Sequence, residues 1–355
     1  MNERQLDLLR RMIAAPSPSG YEQPLMRILR EEAAAFAARV VPDVHGNCDV
    51  VLNPGGAPRV MLAAHCDEIG LITTYIDEHG FLSVGPVGGW DPQILQGQRV
   101  RVITASGPIP GVIGKQPIHV QEPADRDKVA KIKTLWVDIG AKDREDAEKM
   151  VAIGDPMVVA SDLAELPNGR FAGRAFDDKA GAWTVFEAAR LLAAMSPEAE
   201  VHAVFTVQEE IGSRGATTAA FGIRPDAAIA VDVTFATDHP GMSDAEKVEG
   251  HVVLGGGPAV TRGANINPEM FRRLAETAKA KGIPVQVVAD GRATPTDADP
   301  LQISRAGVAT ALLSVPLRYM HTPCEIVSAD DLEATARLMA ETVASFRKGD
   351  SFLPL

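Results

Sequence analysis

Leu6, Leu9, Met12 and Ile13 recur three and four residues apart, which predicts a short amphipathic helix at the start of the chain. The pattern breaks at Pro16-Ser17-Pro18-Ser19-Gly20. Ser19 followed by Glu22 has the spacing of a capping box, so a second helix is expected from there to about Arg39. Apolar runs at 50–52 and 59–64, separated by Asn53-Pro54-Gly55-Gly56, predict two strands, with His65 directly after the second.

From about residue 70 the texture changes to short β-type runs at 71–76, 81–84, 99–104, 112–113, 135–139 and 156–160, with one helical piece at 144–150. Turns rich in Gly, Pro and Asp separate them, which predicts a small all-β domain inserted over residues 70–164. Beyond it, helical and strand patterns alternate. Helices are expected at 179–195, 216–221, 268–281, 300–306 and 332–346, and strands at 201–207, 227–231, 284–288 and 309–315. That order predicts an α/β fold with a mostly parallel sheet covered by helices on both faces. Its domain is discontinuous, residues 1–69 joined to 165–355.

Composition narrows the function classes. The 355 residues suffice for two domains, and the net charge of −12 comes without any basic block. A nucleic-acid footprint and an anionic membrane surface are therefore not expected as partners. The charged opening Met1-Asn2-Glu3-Arg4-Gln5 is not expected to be a signal peptide, and no apolar run is long enough to span a bilayer. Cys48, Cys66 and Cys324 form no CxxC pair and leave an odd count, so reduced thiols and a cytoplasmic location are expected.

The chemistry concentrates on Phe176-Asp177-Asp178-Lys179-Ala180-Gly181, an acid doublet at the mouth of a predicted helix. Adjacent carboxylates repel unless a cation lies beside them. His65, Glu209, Glu210, Asp232 and His321 all fall at or just past the ends of predicted strands. In open α/β sheets that rim is where ligands bind. Singly, each has an ordinary explanation: Asp177 a helix cap, Asp232 a strand end, Glu209-Glu210 a solvated pair, His321 a surface histidine. Together they are oxygen and imidazole ligands on one rim, without cysteine, which suits a paired-metal hydrolase better than structural zinc. One cation would sit with His65, Asp177 and Asp232, the other with Asp177, Glu210 and His321. Glu209 is then free to act as general base. Strand alternation puts Asp67 on the face of His65, as a partner for its imidazole, and Cys66 on the opposite face. His45, His79, His202, His239 and His251 read as structural or surface residues, and His119 stays open. Gly255-Gly256-Gly257 lacks a following Lys-Ser/Thr and reads as a turn.

At these residues the chain resembles the tetrahedral (TET) and glutamyl aminopeptidases, dinuclear-metal exopeptidases of which some carry endoglucanase or cellulase names. The matching stretches are Ala64-His65-Cys66-Asp67-Glu68-Ile69-Gly70, Gly88-Gly89-Trp90-Asp91, Gly114-Lys115-Gln116-Pro117-Ile118-His119 and Asp138-Ile139-Gly140-Ala141. They continue with the acid doublet, Gln208-Glu209-Glu210-Ile211-Gly212, Val231-Asp232-Val233-Thr234 and Arg318-Tyr319-Met320-His321-Thr322-Pro323. The resemblance implies a zinc-exopeptidase-like fold with metal ligands His65, Asp177, Glu210, Asp232 and His321. It implies Glu209 as the catalytic carboxylate, with Asp67 behind His65. It further implies two divalent ions per subunit (zinc first, cobalt or manganese as alternatives), short peptide substrates and a homo-oligomer, a dodecamer built from dimers. The residues alone leave two competitors: a glycosidase, and a non-catalytic shell that binds peptides or proteins. Few aromatics, 5% of residues, count against a sugar site, and a complete ligand set counts against a shell without turnover.

Overall fold

The strand Arg59–His65 is buried along nearly its whole length, and the central sheet is built outward from it. In the computed structural model, which describes residues 1–354, it pairs in parallel with Glu200–Thr206 on one flank and Ala227–Phe235 on the other. Ala309–Leu317 follows in parallel beside Ala227–Phe235. Toward the edges the direction changes. Cys48–Leu52 runs antiparallel to Glu200–Thr206 and carries Arg39–Pro42 antiparallel beyond it. On the far side Ala259–Gly263 opposes Ala309–Leu317 and holds Gln286–Asp290 in parallel at the rim. The eight-stranded sheet is therefore mixed, parallel at its centre. Parallel neighbours need crossover helices, which cover both faces, whereas Arg39–Pro42 and Cys48–Leu52 are joined by a short turn.

Strand alternation divides the core. Val60, Leu62 and Ala64 enter the larger cluster with residues of helices Glu3–Ala14, Phe176–Met195 and Ala329–Ala344. Met61 and Ala63 enter a smaller one with residues of Arg214–Ile223 and Ala298–Gln302. Helix Phe176–Met195 is buried along most of its length because sheet and helices enclose it; Trp183 and Phe186 are fully buried. Among the described residues no helix is long and apolar enough to cross a membrane.

After His65 the chain leaves the sheet. Gly70–Ile76, Leu82–Val87, Arg99–Thr104, Gly107–Gly114, Trp136–Asp138 and Pro156–Val159 close into a barrel with its own core, including Leu82, Val102, Val137 and Met157. The return passes through a three-stranded sheet of Ala164–Leu166, Arg170–Gly173 and Glu325–Ser328, which ties the barrel's exit to the chain beyond His321.

Two local expectations fail. The second helix spans Gln23–Ala33 and stops well before Arg39. Phe36 packs edge-on against Phe186, with ring centroids 5.4 Å apart, and turns the chain into the strand Arg39–Pro42. Nor do Ser19 and Glu22 form a capping box. The Ser19 hydroxyl donates to Asp67 Oδ2 at 2.6 Å, and Glu22 accepts from the backbone of Gly20 and Gln208. A buried carboxylate in need of donors outcompetes a helix terminus that water can satisfy.

Candidate metal centre and active site

Sheet register brings the first residues together. Thr206 lies opposite His65. The pairing of Ala227 with Val60 through Ala230 with Ala63 carries Asp232 to the level of His65 on the other flank. Beyond Thr206 the chain folds back on itself. The N–H groups of Ser213, Arg214 and Gly215 donate to the carbonyls of Glu209, Gln208 and Val207, so Glu209 and Glu210 project from a narrow loop. Gln208, Ser213, Tyr319 and His321 all have left-handed backbones, with φ of 57°, 48°, 63° and 58°. Such conformations in non-glycine residues concentrate at functional sites.

The acid doublet divides its labour. Asp177 and Asp178, joined by a cis peptide bond, depart from helical backbone angles, and regular helix begins after them. Asp178 Oδ1 accepts from Gly181 N at 2.9 Å and so caps the helix. A Cβ at position 181 would collide with that carboxylate, so only glycine fits. Asp177 is released to face the imidazoles. Its Oδ1 lies 3.2 Å from His65 Nε2 and its Oδ2 lies 3.3 Å from His321 Nε2. Asp232 Oδ1 is 3.8 Å from His65 Nε2, and Glu210 Oε1 is 3.4 Å from His321 Nε2.

Two sets of ligand atoms result, His65–Asp177–Asp232 and Asp177–Glu210–His321, each compact enough to hold a metal ion, with Asp177 common to both. The donor chemistry suits divalent cations. Glu210 Oε1 is buried and makes no well-formed hydrogen bond, with only the His321 imidazole 3.4 Å away, as a ligand oxygen would be. Electrostatics agree. Burial pushes Glu210 up to about 7 and raises Asp232, Asp178 and Glu209. Contact with the Asp177 and Glu210 carboxylates pushes His321 up to about 11. Burial opposes charge on His65, yet Asp177 and Asp67 raise it. Burial likewise opposes charge on Asp177, but His321 and His65 hold it well below the usual range. Protons here balance charge that divalent cations would balance instead, turning both imidazoles neutral.

A second layer fixes these groups. Asp67 lies where alternation puts it, but its carbonyl, 3.1 Å from His65 Nδ1, is nearer the ring than its carboxylate oxygen at 3.5 Å. The carboxylate chiefly accepts the backbone N–H groups of Glu209 and Glu210, at 2.9 and 3.1 Å. One residue thus aligns the imidazole and the acid pair. Cys66 is in the core. Glu325 was not anticipated: fully buried, it accepts the backbone N–H of Asp177 at 3.1 Å and of His321 at 2.9 Å. Its only sequence signal is an acid four residues after His321. Glu68, Arg174 and Lys179 form a buried ionic cluster beside the doublet, completed by Ser17. From the barrel, Gly89 comes close enough that a Cβ would touch His321. His119, in a short turn, joins none of these groups, and Gly255–Gly257 is a turn whose terminal N–H groups donate to Asp331.

A family model for the M42 glutamyl aminopeptidases matches residues 46–338. The chain belongs to that family. This M42 member is a hydrolase, 41% identical to the lysyl aminopeptidase of Pyrococcus furiosus over 94% of each chain. Its structure superimposes with a TM-score of 0.91 on a TET aminopeptidase from the marine sediment archaeon Thaumarchaeota archaeon SCGC AB-539-E09, at 32% identity and over 98% of each chain. It also matches the Pyrococcus horikoshii TET1 peptidase, which can assemble into a tetrahedron or a large octahedral shell. That match has a TM-score of 0.86 and 31% identity, covering 96% of this chain and all of the other, 100%.

Proposed function

We propose that this M42 aminopeptidase removes the first residue of short peptides at a centre of two divalent cations, one held by His65, Asp177 and Asp232, the other by Asp177, Glu210 and His321. The observation that carries the reading is the split of the Asp177 carboxylate, Oδ1 3.2 Å from one imidazole and Oδ2 3.3 Å from the other. Zinc is the first candidate, and cobalt and manganese suit the same ligands. Cations bound there would polarise the scissile carbonyl and bring the pKa of a water to about 7. Glu209, half-buried and outside both ligand sets, takes the proton from the attacking water and returns it to the departing amine. Asp67 acts behind it, holding the backbone of Glu209 and Glu210 while its carbonyl orients His65. Glycoside hydrolysis by paired carboxylates would have no use for the two imidazoles.

The catalytic unit in this reading comprises residues 1–69 and 165–355, with residues 70–164 as an inserted assembly domain. The TET1 relative supports a homo-oligomer, and a dodecamer built from dimers is the form proposed. Glu209→Gln should retain both metals by elemental analysis while turnover falls by about 10²–10⁴. A variant with near-parental turnover would remove Glu209 from the mechanism.

A further inference from the structure

Ser213 occupies the N-cap position of helix Arg214–Ile223, where serine ordinarily turns its hydroxyl onto the helix's own N–H groups. Here it makes no such bond. Its backbone is left-handed, φ 48° and ψ 40°, and its Oγ points back to donate to Glu209 Oε1 at 3.0 Å. Its N–H simultaneously donates to the Glu209 carbonyl at 2.9 Å. One residue therefore grips Glu209 by main chain and side chain together. Among the described residues no other side chain donates to that carboxylate, and Oε2 is left without a protein donor. The helix forgoes its cap, and a serine accepts an uncommon backbone conformation, for one bond to one oxygen.

We infer that Ser213 is a positioning residue for the general base: it pins Oε1, fixes the rotamer of Glu209, and leaves Oε2 as the oxygen that takes the proton. This rests on Glu209 being the base. A glutamate has three side-chain torsions to fix, and misplacement of a reacting group by about 1 Å can cost about a hundredfold in rate. The opposing possibility is that the hydroxyl only steadies the loop. That role would be read out as a lower thermal midpoint or lost metal, not as a selective fall in kcat.

The test uses the full-length, metal-loaded enzyme with four variants: Ser213→Ala, Ser213→Gly, Ser213→Asn and the double variant Glu209→Gln/Ser213→Ala. Alanine and glycine both remove the donor, and glycine also relieves the left-handed backbone. Asparagine tolerates that backbone and restores an N–H donor. The expected result is a fall in kcat of roughly ten- to a hundredfold for alanine and glycine alike, with KM, metal content and thermal midpoint unchanged. Asparagine should recover part of the loss, and the double variant should be no slower than Glu209→Gln alone. If Ser213→Ala stays within twofold of the parent while Glu209→Gln is inactive, Ser213 has no positioning role, and the assignment of Glu209 stands. Loss of metal or of thermal stability in step with kcat also overturns the inference. Near-parental turnover by Glu209→Gln removes the base assignment, and this inference with it.

Discussion

Replacing Glu325 by alanine should weaken metal binding without touching any of the proposed ligands. Its buried carboxyl accepts the backbone N–H of Asp177 at 3.1 Å and of His321 at 2.9 Å, so it clamps the shared aspartate to one of the two imidazoles. Burial and the nearby Asp177 charge push this carboxyl up, and cations beside Asp177 would oppose that shift. Stranding two buried N–H groups, at about 1–3 kcal/mol each, gives about 2–6 kcal/mol in all. Loss of a partner behind a ligand typically lowers metal affinity by about 10–100-fold, or about 1.4–2.8 kcal/mol. The clamp can supply that. Zinc affinity would be measured by competition with a chromophoric chelator, with circular dichroism to establish an intact fold. Glu325→Gln, which keeps one acceptor oxygen, should lose less than Glu325→Ala. If folded Glu325→Ala binds zinc within twofold of the parent, the clamp plays no part in holding the metals.

Three further outcomes follow from the same structure. Glu68→Ala leaves Arg174 and Lys179 buried without their anion and should cost about 3–5 kcal/mol in urea unfolding, whereas a cost under about 1 kcal/mol would mean that water or rearrangement satisfies them. Under native conditions a disulfide-exchange reagent should titrate Cys324 alone, because Cys48 and Cys66 are buried and burial pushes the Cys48 thiol up to about 12; a second fast-reacting thiol would contradict the core packing. Prolonged EDTA treatment should abolish hydrolysis of aminoacyl chromogenic substrates, and zinc, cobalt or manganese should restore it, while full activity after exhaustive chelation would exclude a metal mechanism.

Much of the site is visible in the sequence because sheet geometry does the gathering. A candidate ligand at the end of a buried apolar run can be picked out from the run itself, and register then sets His65, Thr206 and Asp232 in one row. Residues that only buttress other residues of the site leave no such trace. Glu325 reaches Asp177 and Ser19 reaches Asp67, both far away in sequence, and Ser19 with Glu22 even imitates a capping box. The division of the doublet into a capping Asp178 and a free Asp177 depends on backbone angles that no periodicity encodes. Edge elements are equally hidden: Arg39–Pro42 is short and mostly exposed, and the Ala-rich stretch before it follows helix propensity until Phe36 finds Phe186. The strand containing Asp232 runs on to Phe235, past the point where its apolar pattern is interrupted by that acid.

Anomalous diffraction at the zinc absorption edge, on crystals of the full chain soaked in zinc, addresses the shared aspartate directly. Two peaks flanking the Asp177 carboxylate, one beside His65 and Asp232 and the other beside Glu210 and His321, are the predicted result. A single peak, or peaks away from Asp177, would contradict a centre built on one carboxylate serving two cations.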